Sequence, residues 1–246
     1  MYRNFLLLFY AALAGYVIVI LAPLRWKPRL LPVAAGLHLA AFCIRTAEAG
    51  RIPLVGVFDT LSFFALSLAV LSWIFFMTYG SLTFLEGGSI MTAIILLCSL
   101  FAPKKLFPLP PVLKTHWFEV HVGLSFLAYA FFAIGFLGGL DYFLSGRESV
   151  PMKAEYKANL WGYLLFSTAM IAGGIWAYYA WGTYWLWTPK ELWTTIVWFF
   201  YSLYLHARIV RGWKDSTRAA LAMIGFGVVL FTYVGVGLLM KSSHSF

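Results

Sequence analysis

Charge is scarce in this sequence. Only 11% of its 246 residues are Asp, Glu, Lys or Arg, while 62% are hydrophobic. A soluble domain is about half apolar and a quarter charged, so a soluble globule is excluded. Acid is scarcer than base: 9 Asp and Glu stand against 18 Lys and Arg, for a formal net charge of +9. The basic residues form no stripe, so nucleic acid is not the implied partner. Loops on the cytoplasmic face of a membrane, which favour Lys and Arg, account for the excess. Amphipathic strand alternation is missing, which excludes a membrane barrel. Cysteine is nearly absent, and Cys43 and Cys98 both lie in apolar runs, where they read as core residues. No cleavable leader is expected, because the first apolar run, Phe5 to Leu24, is long enough to span and lacks a small-residue cleavage site.

What the chain has in abundance is long apolar runs, with a mean hydropathy of +0.84. A span needs about 20 apolar residues. On that measure the sequence predicts an all-α, polytopic membrane bundle of about eight helices, over 4–24, 30–47, 58–79, 85–102, 117–144, 159–180, 192–211 and 219–240. Glu86-Gly87-Gly88 interrupts the fourth. No internal repeat is evident, and residues 1–246 read as a single domain. Connections 25–29, 145–158 and 212–218 carry Arg25, Lys27, Arg29, Arg147, Lys153, Lys157, Lys214 and Arg218. With eight spans they share one side, which the Lys and Arg excess makes cytoplasmic. Loop 103–115 opposes this with Lys104, Lys105 and Lys114. Both termini, loop 103–115 and the aromatic stretch 181–191 are then expected outside.

Six of the 11 tryptophans lie between Trp176 and His206. Aromatic residues gather at membrane interfaces as anchors, and Trp26, Trp73, Trp161 and Trp213 fit that reading. Trp181, Trp185, Trp187 and Trp193 are too dense for it, and a Gly and a Pro interrupt them. Flat rings beside a helix break suit a flat ligand. Lys190-Glu191 reads as the start of the next helix, with its acid near the positive helix end. Five histidines accompany these rings: His38, His116, His121, His206 and His244. Histidines in membrane spans usually serve function, although each alone reads equally as a hydrogen-bonded packing residue. Two imidazoles from different helices make a six-coordinate haem iron site. The predicted topology allows an outer pair and a pair at membrane depth. For the outer pair His121, one turn beyond Trp117, is favoured over His116 at the helix start. There is no Cys-x-x-Cys-His, so the chain attaches no haem to itself. No nucleophile–base pair or acid pair suggests group transfer.

The run from Trp181 to Trp193, followed by Trp198, Tyr201 and Leu205-His206-x-Arg208, resembles the Trp-rich (WWD) signature of the haem-handling cytochrome c assembly proteins. Within them it is most similar to the CcsA (ResC) family of the system II pathway. Gly50 to Leu54, Phe58 to Phe63, Lys114 to Val122 with Tyr129, Gly235-Val-Gly and His244-Ser-Phe match further family segments in order. The resemblance implies that His121 and His244 ligate haem b beside the Trp-rich loop and that His206 serves an inner site. The second inner ligand is His38 or a residue of a partner. It further implies thioether formation on an apocytochrome c bearing Cys-x-x-Cys-His, with a CcsB (ResB) membrane subunit, in a bacterial inner or thylakoid membrane. The chain would act as the membrane component of a haem lyase. A HemX-like haem-binding regulator of tetrapyrrole synthesis is the alternative, and an electron-transfer dihaem subunit ranks below both. Aromatic walls would bind the porphyrin face, and placement would be the protein's contribution to rate. Arg45, Arg51, Lys104 and Lys105 are candidates for the propionates. Two departures from the family pattern stand out. Thr188 replaces the usual Asp, and the chain closes on Gly-Val-Gly and Ser-Ser-His-Ser-Phe where Gly-Val-Asn and Gly-Leu-His-Ser-Tyr are typical.

Overall fold

The structure, a computed structural model, describes residues 2–106, 108–145 and 149–239. These residues form helices and no strand. Eight long helices run in order: α1 Tyr2–Leu21, α2 Lys27–Ala49, α3 Val57–Tyr79, α4 Leu82–Ser99, α5 His116–Leu144, α6 Ser149–Trp181, α7 Pro189–Ile209 and α8 Asp215–Leu230. A π-helical turn, Phe231–Gly235, and a short α9, Val236–Leu239, continue α8. Seven of the described helices, α1 to α6 and α8 extended to Gly235, are long and apolar enough to cross a membrane. The chain is therefore an integral membrane protein. Only α7 lacks the required apolar window, because its ends are polar.

The chain divides into two compact units, Met1–Phe107 and Pro108–Phe246. In the first, α1 packs on α2 and α4, and α3 packs on the same two. Phe5, Phe9, Tyr16, Leu31, Phe58 and Leu85 fill its centre. Backbone chemistry ties α2 to α3. Pro32 lies inside α2 and has no N–H for the Pro28 carbonyl four residues earlier. The Trp73 indole of α3 donates to that carbonyl at 3.0 Å, so the group is not left unpaired in an apolar interior. Glu86 does not interrupt α4, as the sequence led us to expect. Lys27 Nζ meets its carboxylate at 2.6 Å, and the helix runs through.

Arg45 is the largest buried polar side chain of this unit, with 2% of its surface exposed. Its Nε donates to Asp59 Oδ1 at 3.0 Å, and Nη2 donates to Asp59 Oδ2 at 3.4 Å and to the Lys104 carbonyl at 2.7 Å. This guanidinium holds α2, α3 and the segment after α4 together.

In the second unit α5 packs on α6 and α8, and α7 packs on the same two. Phe132 of α5 stacks on Tyr201 of α7 with ring centres 3.6 Å apart. The α5–α6 pair is the closest. A Cβ on Gly138 would lie 2.7 Å from Glu155 Cβ, and one on Gly135 would lie 2.2 Å from Asn159 Oδ1. Small residues at a membrane helix interface allow such approach. It also explains why α6 begins at Ser149, ten residues ahead of the predicted span. Met152, Ala154, Glu155, Ala158 and Asn159 are buried, while Lys153 and Lys157 are exposed. The charges that read as a loop lie on one side of a helix.

Removing one member of a buried ion pair leaves the other charge uncompensated, at about 3–5 kcal/mol. Arg45→Leu should therefore lower the melting temperature of the purified protein sharply, and Arg45→Leu with Asp59→Leu should recover most of the loss. A double variant no more stable than the single one would show that Arg45 acts by packing alone.

Candidate functional site

The end of the second unit formed by the start of α5, the end of α6 and the start of α7 carries the densest aromatic chemistry. Thr115 caps α5, its hydroxyl accepting the Phe118 N–H at 3.2 Å. The first turns of α5 then face α6. Phe118 is buried against Trp176, with ring centres 5.2 Å apart. His121, three residues on, stacks near-parallel to the same indole at 6.2 Å and 19°. Trp117 is instead exposed, so Phe118 rather than Trp117 shares the inward face with His121.

His121 Nδ1 lies 2.7 Å from the Ala169 carbonyl of α6. A carbonyl only accepts, so this nitrogen carries the proton and the ring's lone pair is on Nε2, the atom an axial metal bond uses. The approach depends on Gly173. A Cβ there would stand 2.6 Å from His121 Nδ1, closer than any side chain tolerates. Ala169, Gly173 and Trp176 thus form a notch, one turn apart along α6, that receives the imidazole. Trp176 is itself held, its indole donating to the Val112 carbonyl at 2.8 Å. Trp181 packs edge-on against Trp176 at 4.9 Å. A continuous aromatic path therefore leads from His121 to the Trp-rich loop.

That loop has a defined backbone. Gly182, at φ 74°, ends α6, and Tyr184 folds back to stack on Tyr178 at 4.7 Å. Thr188 then begins α7 with a capping box: its hydroxyl accepts the Glu191 N–H at 3.3 Å. Glu191 Oε2 in return accepts the Thr188 N–H at 2.8 Å and the Leu186 N–H at 3.0 Å. These two donors flank Trp187, which adopts φ 57°, the left-handed region, alone among non-glycine residues described. One carboxylate thus pulls the backbone inward on both sides of Trp187 and turns its ring outward, 70% exposed. Trp185 is half-buried. Trp193 packs on Phe231 of the π-helical turn at 4.4 Å. Lys190, in the first turn of α7, has its ammonium held below the usual lysine range by burial.

The remaining predicted residues are placed as follows. His116 is fully exposed beside Glu119, 3.7 Å away. His206 lies 17 residues beyond Pro189, about 26 Å along α7. It stands on that helix's exposed face with Leu192, Ile196, Phe199 and Leu203. His38 is completely buried in the first unit. Tyr16 OH meets its Nδ1 at 3.2 Å and Ser62 Oγ its Nε2 at 2.9 Å. Both ring nitrogens have protein partners, which is the arrangement of a packing histidine. Arg45 is likewise committed to Asp59. His244 lies outside the described residues. Among the described residues no cluster of three or more His, Cys, Asp or Glu side chains could hold a bare metal ion.

Sequence reasoning missed Glu191 as the organiser of the loop, although Thr188-x-x-Glu191 is a readable capping signature. It also missed Ala169 and Gly173, for which no signal exists without knowing which helix α6 faces.

Residues 54–244 match the family described as cytochrome C assembly protein. The chain is similar to the cytochrome c biogenesis protein CcsA of Chlamydomonas reinhardtii, at 29% identity over 89% of this chain and 68% of that protein. It is 31% identical to CcsA of Guillardia theta, over 82% of this chain and 79% of the relative. With CcsA of Crocosphaera subtropica it shares 27% identity over 99% of this chain and 95% of the relative. The chain belongs to the cytochrome c assembly protein family, and the CcsA proteins are among its relatives.

Proposed function

We propose that this chain holds haem for cytochrome c maturation, with His121 as one axial ligand of a site bounded by the Trp-rich loop. The observation that carries the reading is the notch of Ala169, Gly173 and Trp176. It fixes the imidazole plane and puts the lone pair on Nε2. Bis-histidine ligation fits such an oriented imidazole. His244 is the proposed second ligand. It follows Leu239 by five residues, a reach of at most about 18 Å. The chain enters that tail from the π-helical turn whose Phe231 packs on Trp193. Trp181, Trp185, Trp187 and Trp193 supply apolar surface for the porphyrin, and the exposed Trp187 is the ring most available to it. The two outer ligands hold haem b while the thiols of an apocytochrome c add to its vinyl groups. The protein's own part is orientation.

His206 serves a second, inner haem from the exposed face of α7, with the opposing ligand supplied by a CcsB-type membrane subunit. We assign His38 a packing role. On this reading the Trp-rich loop and both termini lie on the outer side, following the Lys and Arg bias of the loops. Thr188 does the capping work that the Asp implied by the family resemblance would do, because Asp and Thr both accept an N3 amide.

Three outcomes follow. In the purified protein, His121→Ala and Gly173→Val should each remove or re-ligate one haem in the reduced absorption spectrum, whereas His116→Ala should leave it unchanged. A wild-type spectrum for Gly173→Val would sink the notch. Second, Trp187→Gly should relieve left-handed backbone strain of about 1 kcal/mol and leave thermal stability equal or higher, yet lower haem retention. Retention equal to wild type would remove Trp187 from the site. Third, Thr188→Val should cost about 1 kcal/mol of stability while Thr188→Asp costs little, both read by thermal melting; equal losses would argue against the cap.

A further inference from the structure

The last turn of α7 is tied by polar contacts to both α6 and α8. Arg208 is 12% exposed and Glu155, on α6, is 0% exposed. Arg208 Nη2 lies 3.3 Å from Glu155 Oε2 and also donates to the Met152 carbonyl of α6. Arg208 Nη1 faces Asp215, at the start of α8, at 3.9 Å. The guanidinium also lies over the Tyr156 ring at 5.4 Å. From α8, Arg218 reciprocates: its Nε donates to the Ala207 carbonyl at 2.9 Å, and its Nη1 donates to Asp215 at 2.8 Å. Carbonyls in the last turn of a helix have no intrahelical partner, so this bond answers one of them.

The geometry between Glu155 and Arg208 needs an explanation. The carboxylate oxygens, Asn159, Tyr201 OH and Tyr204 OH make no well-aligned hydrogen bond, although the Tyr204 hydroxyl is within reach of both Glu155 and Asn159. A buried carboxylate with so little hydrogen bonding adds little stability and costs desolvation. What it does supply is a fixed acceptor 3.3 Å from Arg208 Nη2. That contact, with the Met152 carbonyl, fixes where Arg208 sits and therefore how α7 is rotated and how far it is slid along α6. His206 is two residues from Arg208, about 200° around the helix, on the exposed face. A rotation set at Arg208 is delivered in full to His206.

We propose that Glu155, through Arg208, is a positioning residue for His206: the buried carboxylate fixes the rotation and axial register of the last turn of α7, and Arg218 locks that turn from α8. The inference rests on the reading of His206 as a haem ligand. A Lys at 208 would keep the charge but lose the fork that reaches Glu155, the Met152 carbonyl and Asp215 together. A Gln at 155 would keep the size but remove the charge.

The test uses the full chain, purified with its haem. Occupancy and midpoint potential of each haem are measured in wild type, Glu155→Gln, Arg208→Lys and His206→Ala. Glu155→Gln and Arg208→Lys should each lower inner-haem occupancy several-fold or shift its midpoint potential, while the His121-dependent haem keeps both its occupancy and its potential. That retained signal also shows that the variants fold. If both variants leave the inner haem unchanged while His206→Ala removes it, the positioning role is wrong and the ligand reading stands. If both haems decline together, the cluster only holds the fold and the proposal fails. An inner haem that survives His206→Ala removes the ligand reading, and the positioning role with it.

Discussion

An imidazole on one helix reaching a backbone carbonyl on the next is the contact around which the aromatic end of this protein is arranged. In an α-helix the Ala169 carbonyl already serves the ladder, but it has a second lone pair. Reaching that lone pair requires the neighbouring turn to have no side chain, and Gly173 meets the requirement. His121 then has one tautomer and one ring plane, and Trp176 stacks against it. The rest follows outward. Trp181 leans on Trp176, the loop turns at Gly182, and Glu191 gathers the amides on both sides of Trp187. The indole is exposed because the carboxylate organises the backbone beneath it.

The same logic governs polar groups elsewhere in the apolar interior. Several sit where a specific partner meets them, since an unmatched group is costly in such surroundings. Pro32 withholds an amide N–H and the Trp73 indole N–H takes its place. Arg45 brings a charge into the first unit, where Asp59 and the Lys104 carbonyl receive it. Lys27 at the start of α2 and Glu86 in the second turn of α4 pair across the two helices. In the second unit Glu155 and Arg208 join α6 to α7 where the α5–α6 glycines permit a close approach. Few charges are present, and Lys27, Arg45 and Arg208 each join separate helices.

Much of this was legible in the chain itself. The long apolar runs identify the helices, and Trp176 to His206 marks the candidate site through its Trp density. His121 could be separated from His116 by helical position, and the structure sets them apart physically: one in a notch, the other fully exposed. Other features were misread for identifiable reasons. The first ten residues of α6 looked like a loop because charge was counted without periodicity, although Lys153 and Lys157 share one exposed side. Trp117 was chosen as the neighbour of His121 by its i,i+4 spacing, while helix orientation turns Phe118 inward. His38 was one of two candidates for the second inner ligand, and the sequence carried no sign that Tyr16 and Ser62 engage both its nitrogens.

The sequence by itself determined the class of solvent, the helical class of the fold and the residue types available for binding a flat ligand. Those follow from composition and apolar run length, which act locally and can be counted. Only the tertiary structure decided which imidazole nitrogen carries the proton, which tryptophan is turned outward and which arginine is committed to a buried partner. Each of those depends on a group from a helix remote in the chain, at a distance of about three ångströms that no local pattern records.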